Sequence, residues 1–179
     1  MTAKRTAITL GTAAAIAIAV PATAKFEGLW LVAKVDRIGT GQPPTVCYGE
    51  TEGVRVGDRY TKQQCDEMLA KKLPRYNAEI SECIHVPISD KTRAAFISFA
   101  YNVGSAGFCR STAAKRLNEG NIRAACDALM QWTRAGGRVV KGLVNRRASE
   151  RAMCIEGIKE PTIGPASAGV APAKSWWRK

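Results

Sequence analysis

Two carboxylates and a hydroxyl lie close together in this sequence, just after an uncharged apolar run. They are Glu27 in Glu27-Gly28-Leu29, Asp36, and Thr45 in Thr45-Val46-Cys47-Tyr48-Gly49-Glu50-Thr51. Cleaving a glycosidic bond needs one carboxyl that keeps its proton for the leaving oxygen. It also needs a second polar group to steady a water, or the oxocarbenium-like charge, on the opposite face. Glu27 and Asp36 have the chemistry for those two tasks. A general acid working near neutral pH needs an apolar wall and little water around it, and Phe26, Leu29 and Trp30 flank Glu27. The spacing alone selects no function, because carboxylates nine residues apart are common by chance.

The remaining blocks carry more information. Glu-Gly-Leu, the acid nine residues on and Thr-Val-Cys-Tyr-Gly are followed by Ala100-Tyr101-Asn102-Val103-Gly104, then Ser111-Thr112 with Leu117-Asn118-Glu119-Gly120. Last come Gly142-Leu143-Val144-Asn145-Arg146-Arg147 and Glu150. In this order, over roughly residues 25 to 157, the sequence resembles the phage-type lysozymes of glycoside hydrolase family 24, and more narrowly the endolysins with an amino-terminal signal-arrest-release segment. The resemblance implies an inverting muramidase without metal or organic cofactor. It implies Glu27 as the acid, Asp36 as the ionised group that positions water, Thr45 as a water holder and Arg146 as the partner of the acid. A local pair of Arg146 or Arg147 with Glu150 on the helix surface competes with that last role. Asn102 is a candidate sugar contact, and Ser111 and Thr112 a helix cap. Glu50, where many relatives carry histidine, is expected to be solvated. The family usually leaves five residues between acid and threonine, whereas Asp36 and Thr45 are separated by eight, Arg37 to Pro44. Glycine and proline in this insertion predict an enlarged loop with its ends unmoved, Thr40 being the less favoured substitute for Thr45.

Residues 6 to 24 carry no charge. As a helix at about 1.5 Å per residue they extend roughly 28 Å, which only just spans a bilayer core. Alanine, threonine and glycine fill most positions, so insertion should be weak. A cleaved export signal is the competing reading, with Lys4-Arg5 as its basic start and Ala22-Thr23-Ala24 as its cutting site. Either way the domain is exported: it is expected at the host inner membrane facing the periplasm and then released. Six cysteines fit an oxidising compartment and allow up to three disulfides in 15 possible connectivities. No C-x-x-C pair exists, and the single histidine, His85, excludes the usual zinc sites and reads as an ordinary loop residue. The net charge of +12 suits accumulation at a polyanionic wall. The basic residues lack nucleic-acid-binding motifs, so peptidoglycan and the inner membrane are the expected partners of a monomer, with no nucleic acid.

The elements expected to position these residues make an α+β, lysozyme-like domain: mostly helical, with a small antiparallel sheet and an N-terminal apolar helix. The expected division is a membrane segment at 1–24, a catalytic domain at 25–160 and a flexible tail at 161–179 ending in Trp176-Trp177-Arg178-Lys179. Residues 25 to 35 should continue as helix, with a kink or interruption at Pro21. Thr45 to Tyr48 and Gly53 to Val56 read as paired strands. Helices should follow from a Thr61/Gln64 capping box to about Leu73, from Ser89 to Gly104, from Ser111 to Gly120, from Ile122 to Trp132, and from Leu143 to Ile155. A lytic transglycosylase and a non-catalytic cationic protein that perturbs membranes are the alternatives.

Overall fold

The computed structural model describes residues 3–35 and 43–162, with side chains from Ala13 onward; Asp36, Thr40 and the tail beyond Thr162 lie outside the described residues. Helix α1 (Ala3–Glu27) buries Ala15, Ala19 and Thr23 completely. These residues are four apart and so form one stripe along the helix, and they seat α1 against the helices described below as α2 and α3. Glu27 is the next member of that stripe. The helix is not interrupted at Pro21, since α1 continues through it to Glu27. Pro21 and Ala17, the residue whose carbonyl loses its partner, are both on the exposed face, where water replaces the missing bond. Among the described residues no helix is long and apolar enough to cross a membrane, in keeping with the small residues that fill α1.

The helix does not continue to residue 35. Gly28, at φ +63°, ends it in the left-handed conformation that glycine adopts without strain. The aromatic and β-branched run that follows forms strand β1 (Trp30–Lys34), which pairs antiparallel with β2 (Thr45–Cys47) in the register Trp30 to Cys47 and Lys34 to Thr45. The expected strand at Gly53 to Val56 is instead a pair of turns. Gly53 and Gly57 both have positive φ, and Val56 is 63% exposed.

Helix α2 (Lys62–Ser81) starts at the Thr61/Gln64 capping box and passes the expected end at Leu73, through an exposed Pro74. Its buried stripe of Cys65, Leu69, Leu73, Asn77 and Ile80 does not stop there. Helix α3 (Asp90–Val103), capped by Ser89, is buried continuously from Ala94 to Ala100 and forms the centre of the domain. Around it pack α1, α2, the short α4 (Ser105–Cys109) and the final helix α7 (Lys141–Gly157). Phe96 and Phe99 of α3 close on Phe108 at 5.3 and 6.3 Å between ring centres. A side chain at Gly157 would collide with Thr92 and Ser89, so only glycine permits this approach of α7 to α3. Between α4 and α7 come α5 (Thr112–Asn118), capped by Ser111, and α6 (Ile122–Ala128). A 3-10 turn (Leu129–Gln131) then leads to a hairpin of β3 (Arg134–Ala135) and β4 (Arg138–Val139) around Gly136-Gly137. The helix expected through Trp132 therefore stops short.

Three disulfides close the structure, and they join elements distant in sequence: Cys47–Cys65 ties β2 to α2, Cys83–Cys109 ties the end of α2 to α4, and Cys126–Cys154 ties α6 to α7.

Candidate active site

Glu27 ends the buried stripe of α1 at the point where α3 and α7 meet. Its Oε1 accepts a charge-assisted hydrogen bond from Arg146 Nη1 at 2.5 Å, and its side chain keeps 20% of its surface in solvent. Arg146, on the second turn of α7, is only 4% exposed. Every edge of its guanidinium is used: Nε donates to Glu150 Oε1 at 3.0 Å, and Nη2 to the Ser98 carbonyl at 3.0 Å. Phe26 lies against it, 5.7 Å from the ring centre. The arginine is thus fixed from α3 and α7, and one nitrogen is left to hold the glutamate.

Glu150 is shared. Ser98 Oγ donates to its Oε1 at 2.8 Å, and Arg147 approaches its Oε2 at 3.0 Å. Arg147 is fully buried, stacks on Phe99 at 4.7 Å, and donates through Nη2 to Asn102 Oδ1 at 3.0 Å. Two arginines and two glutamates therefore balance in one connected cluster. Burial is the larger influence on Glu150 and pushes its carboxyl up against the pull of Arg147 and Arg146; burial likewise brings the Arg147 guanidinium down to about 10.

Tyr101 connects this centre to the segment after β2 by donating to the Tyr48 carbonyl at 3.0 Å. Burial first, and then the nearby charge of Glu27, raises its phenol well above the ordinary range. Thr45 sits in β2 opposite Lys34, half-buried, its hydroxyl donating to the Pro43 carbonyl at 3.2 Å.

Glu50 corrects a sequence expectation. It is 9% exposed rather than solvated, because Lys72 of α2 pairs with it at 2.9 Å and the backbone N–H groups of Thr51 and Glu52 donate to it. Burial pushes its carboxyl up, but Lys72 and these N–H donors outweigh that and hold it below the usual carboxylate range. The two roles set against each other for Arg146 coexist: it reaches Glu27 and Glu150 together, and the pairing with Glu150 is buried rather than on the surface. Ser98 was missed, although a lone serine within the apolar run Ala94 to Ala100 was a signal available in the sequence. His85 is exposed in its loop. Among the described residues no cluster could hold a metal ion.

Comparisons with known proteins identify the family. The phage lysozyme family profile matches residues 24–150. The SAR-endolysin of Enterobacteria phage PA-2 is 40% identical over 132 residues, 73% of this chain and 78% of that protein. The SAR-endolysin of Pseudomonas phage phiKMV is 39% identical over 147 residues, 80% of this chain and 89% of that protein. Among solved structures, the muramidase domain of SpmX from Asticaccaulis excentricus superposes with a TM-score of 0.69 at 30% identity, covering 76% of this chain and 94% of the domain. With the family profile spanning most of the described domain and these relatives matched over most of their length, the chain belongs to the phage lysozyme family as a lysozyme-type endolysin and glycoside hydrolase.

Proposed function

We propose that the chain hydrolyses the β-1,4 bond between N-acetylmuramic acid and N-acetylglucosamine in peptidoglycan. Glu27 is the general acid. What carries this reading is the Glu27–Arg146 contact, because it fixes Oε1 and leaves Oε2 without a described partner, on a side chain that still meets solvent. A proton on Oε2 passes to the glycosidic oxygen as the bond breaks, and Arg146 then stabilises the carboxylate that remains. Asp36 orients the attacking water from the opposite face, with Thr45 beside it. Attack from that face inverts the anomeric carbon, which requires the two carboxyls to stand about 6.5–9.5 Å apart. Glu27→Gln should fold normally and lose roughly 10² or more in rate. Products of the native enzyme should carry reducing ends; 1,6-anhydro ends would assign a transglycosylase instead.

The amino-terminal segment acts as a transient anchor facing the periplasm. Its support is twofold: relatives named SAR-endolysins, and a weakly apolar helix whose alanine stripe also fits the domain. Ala13, Ala14 and Ala17 are exposed on packed α1, so leucines there strengthen insertion without obstructing packing. Those substitutions should hold the protein at the membrane and delay lysis. A mature chain beginning at Lys25 before any lysis would refute the anchor.

A further inference from the structure

Strand β2 leads from Thr45 into a turn in which Val46 and Glu50 exchange both backbone hydrogen bonds. Three ties bind this segment to α2. They are the Cys47–Cys65 disulfide, the Tyr48 hydroxyl donating to Asp66 Oδ1 at 2.7 Å, and the Glu50–Lys72 pair at 2.9 Å. None of the residues that fix Glu27 belongs to α2, so these ties hold the segment to a helix that does not itself hold the acid. Among the described residues, one hydrogen bond runs to the segment from the helices that do: Tyr101 of α3 donates to the Tyr48 carbonyl at 3.0 Å.

Tyr101 lies three residues beyond Ser98, whose hydroxyl and carbonyl hold Glu150 and Arg146. Residues three apart share a helix face, so one face of α3 both fixes the acid's counter-ion and reaches the segment that carries Thr45. The contact is well defined. A carbonyl only accepts, so the phenol must donate; burial and the nearby charge of Glu27 keep its proton in place. Tyr76 of α2 backs the half-buried ring, with 5.0 Å between ring centres. The ring is thus a strut of fixed length between α3 and a carbonyl three residues past Thr45.

We infer that Tyr101 is a positioning residue whose hydroxyl, through the Tyr48 carbonyl, sets the reach of Thr45 and its water toward the sugar held at Glu27. This rests on the proposed hydrolysis, with Glu27 as acid and Thr45 as water holder, and adds the element that aligns one to the other. Alignment of the attacking water counts in the transition state and not in the binding of substrate, so its loss lowers kcat and spares KM.

The experiment uses full-length protein and soluble peptidoglycan fragments, with KM, kcat and melting temperature measured for each variant. Tyr101→Phe keeps the ring and leaves the carbonyl unpaired, so melting should fall by a few degrees. A bond with a merely structural role would do no more than that. For a positioning role kcat should also drop roughly tenfold, with KM within about twofold. Glu50→Gln is the control for stability, since it weakens a tie to α2: it should melt lower yet keep kcat within about twofold. In the Thr45→Ala background, Tyr101→Phe should lower kcat no further. The positioning role is overturned by an unaltered kcat in Tyr101→Phe, by an equal loss in Glu50→Gln, or by a tenfold loss that persists without Thr45. Native turnover in Thr45→Ala or in Glu27→Gln is a separate failure, which overturns the proposed water holder or the proposed acid and this inference with it.

Discussion

The two halves of the site are built in different ways. Around Glu27, the proposed acid, α1, α3 and α7 enclose Arg146, Arg147 and Glu150 in a cluster of ion pairs with little or no exposure, all three guanidinium nitrogens of Arg146 being hydrogen-bonded. On the side where Asp36 and Thr45 are proposed to hold the water stands a two-stranded ribbon of five and three residues, with Leu31, Val32 and Val35 at 42%, 40% and 46% exposed. A disulfide from Cys47 to α2 secures its second strand. An acid must be held rigidly against its counter-ion, whereas a water-holding group needs only to reach the far face of the sugar. The longer spacing between Asp36 and Thr45 falls, in sequence, between these two strands.

The comparison breaks first at Glu150. Replacing it by alanine strands two buried arginines without a carboxylate and should destabilise the protein by about 3–5 kcal/mol, read as a large drop in denaturant midpoint. A loss under about 1 kcal/mol would show the cluster to be far wetter than described. Next, removing the Cys126–Cys154 bridge with paired serines should cost about 3.5 kcal/mol, as expected for a loop spanning 28 residues. That loss should carry the acid's helices with it, visible as an earlier collapse of α7 in hydrogen exchange. On the other half the sign of the result reverses: Asp36→Asn should leave stability nearly unchanged while lowering turnover by roughly 10², far more than Thr40→Ala. The opposite ranking would mean that the inserted loop has rebuilt the water site.

The smallest effect is on acid stability. Lys72 and two backbone donors hold the Glu50 carboxyl below its unfolded value, so its contribution is complete above about pH 4.3 and is lost as pH falls through the lower folded value. Glu50→Gln should melt roughly 2–4 °C lower at pH 6, with the gap to the native protein closing toward pH 3. A gap that stays constant with pH would assign Glu50 no such role.

What was legible in the sequence was local or ordered. Thr61 with Gln64, Ser89 and Ser111 cap helices because their signals act within three residues. The α+β architecture followed from the ordered family blocks and the helical periodicity. What failed required knowledge of distant partners. Trp30 to Lys34 reads as a continuing apolar helix until β2 is available to pair with it. Glu50 looks solvated until Lys72, twenty-two residues on, folds over it. Gly53 to Val56 has strand-like residues but turns on itself, with Arg55 bonded to Asp58 through N–H and carbonyl, while the open edge of β1 pairs instead with Gly57, Asp58 and Tyr60. Disulfide pairing was equally closed to sequence alone, since each bridge joins elements whose proximity is a property of the finished fold.

The four-residue stripe on α1 makes the acid a matter of phase. Each residue of a helix turns its successor by about 100° and advances it 1.5 Å. Inserting one residue between Ala19 and Glu27, while Ala15 and Ala19 stay seated, would swing the carboxyl a quarter-turn away from Arg146. Inserting four would return it nearly to the same bearing but about 6 Å too far along. Over these turns, length is therefore constrained as tightly as composition, and a segment built of interchangeable small residues still has a fixed count.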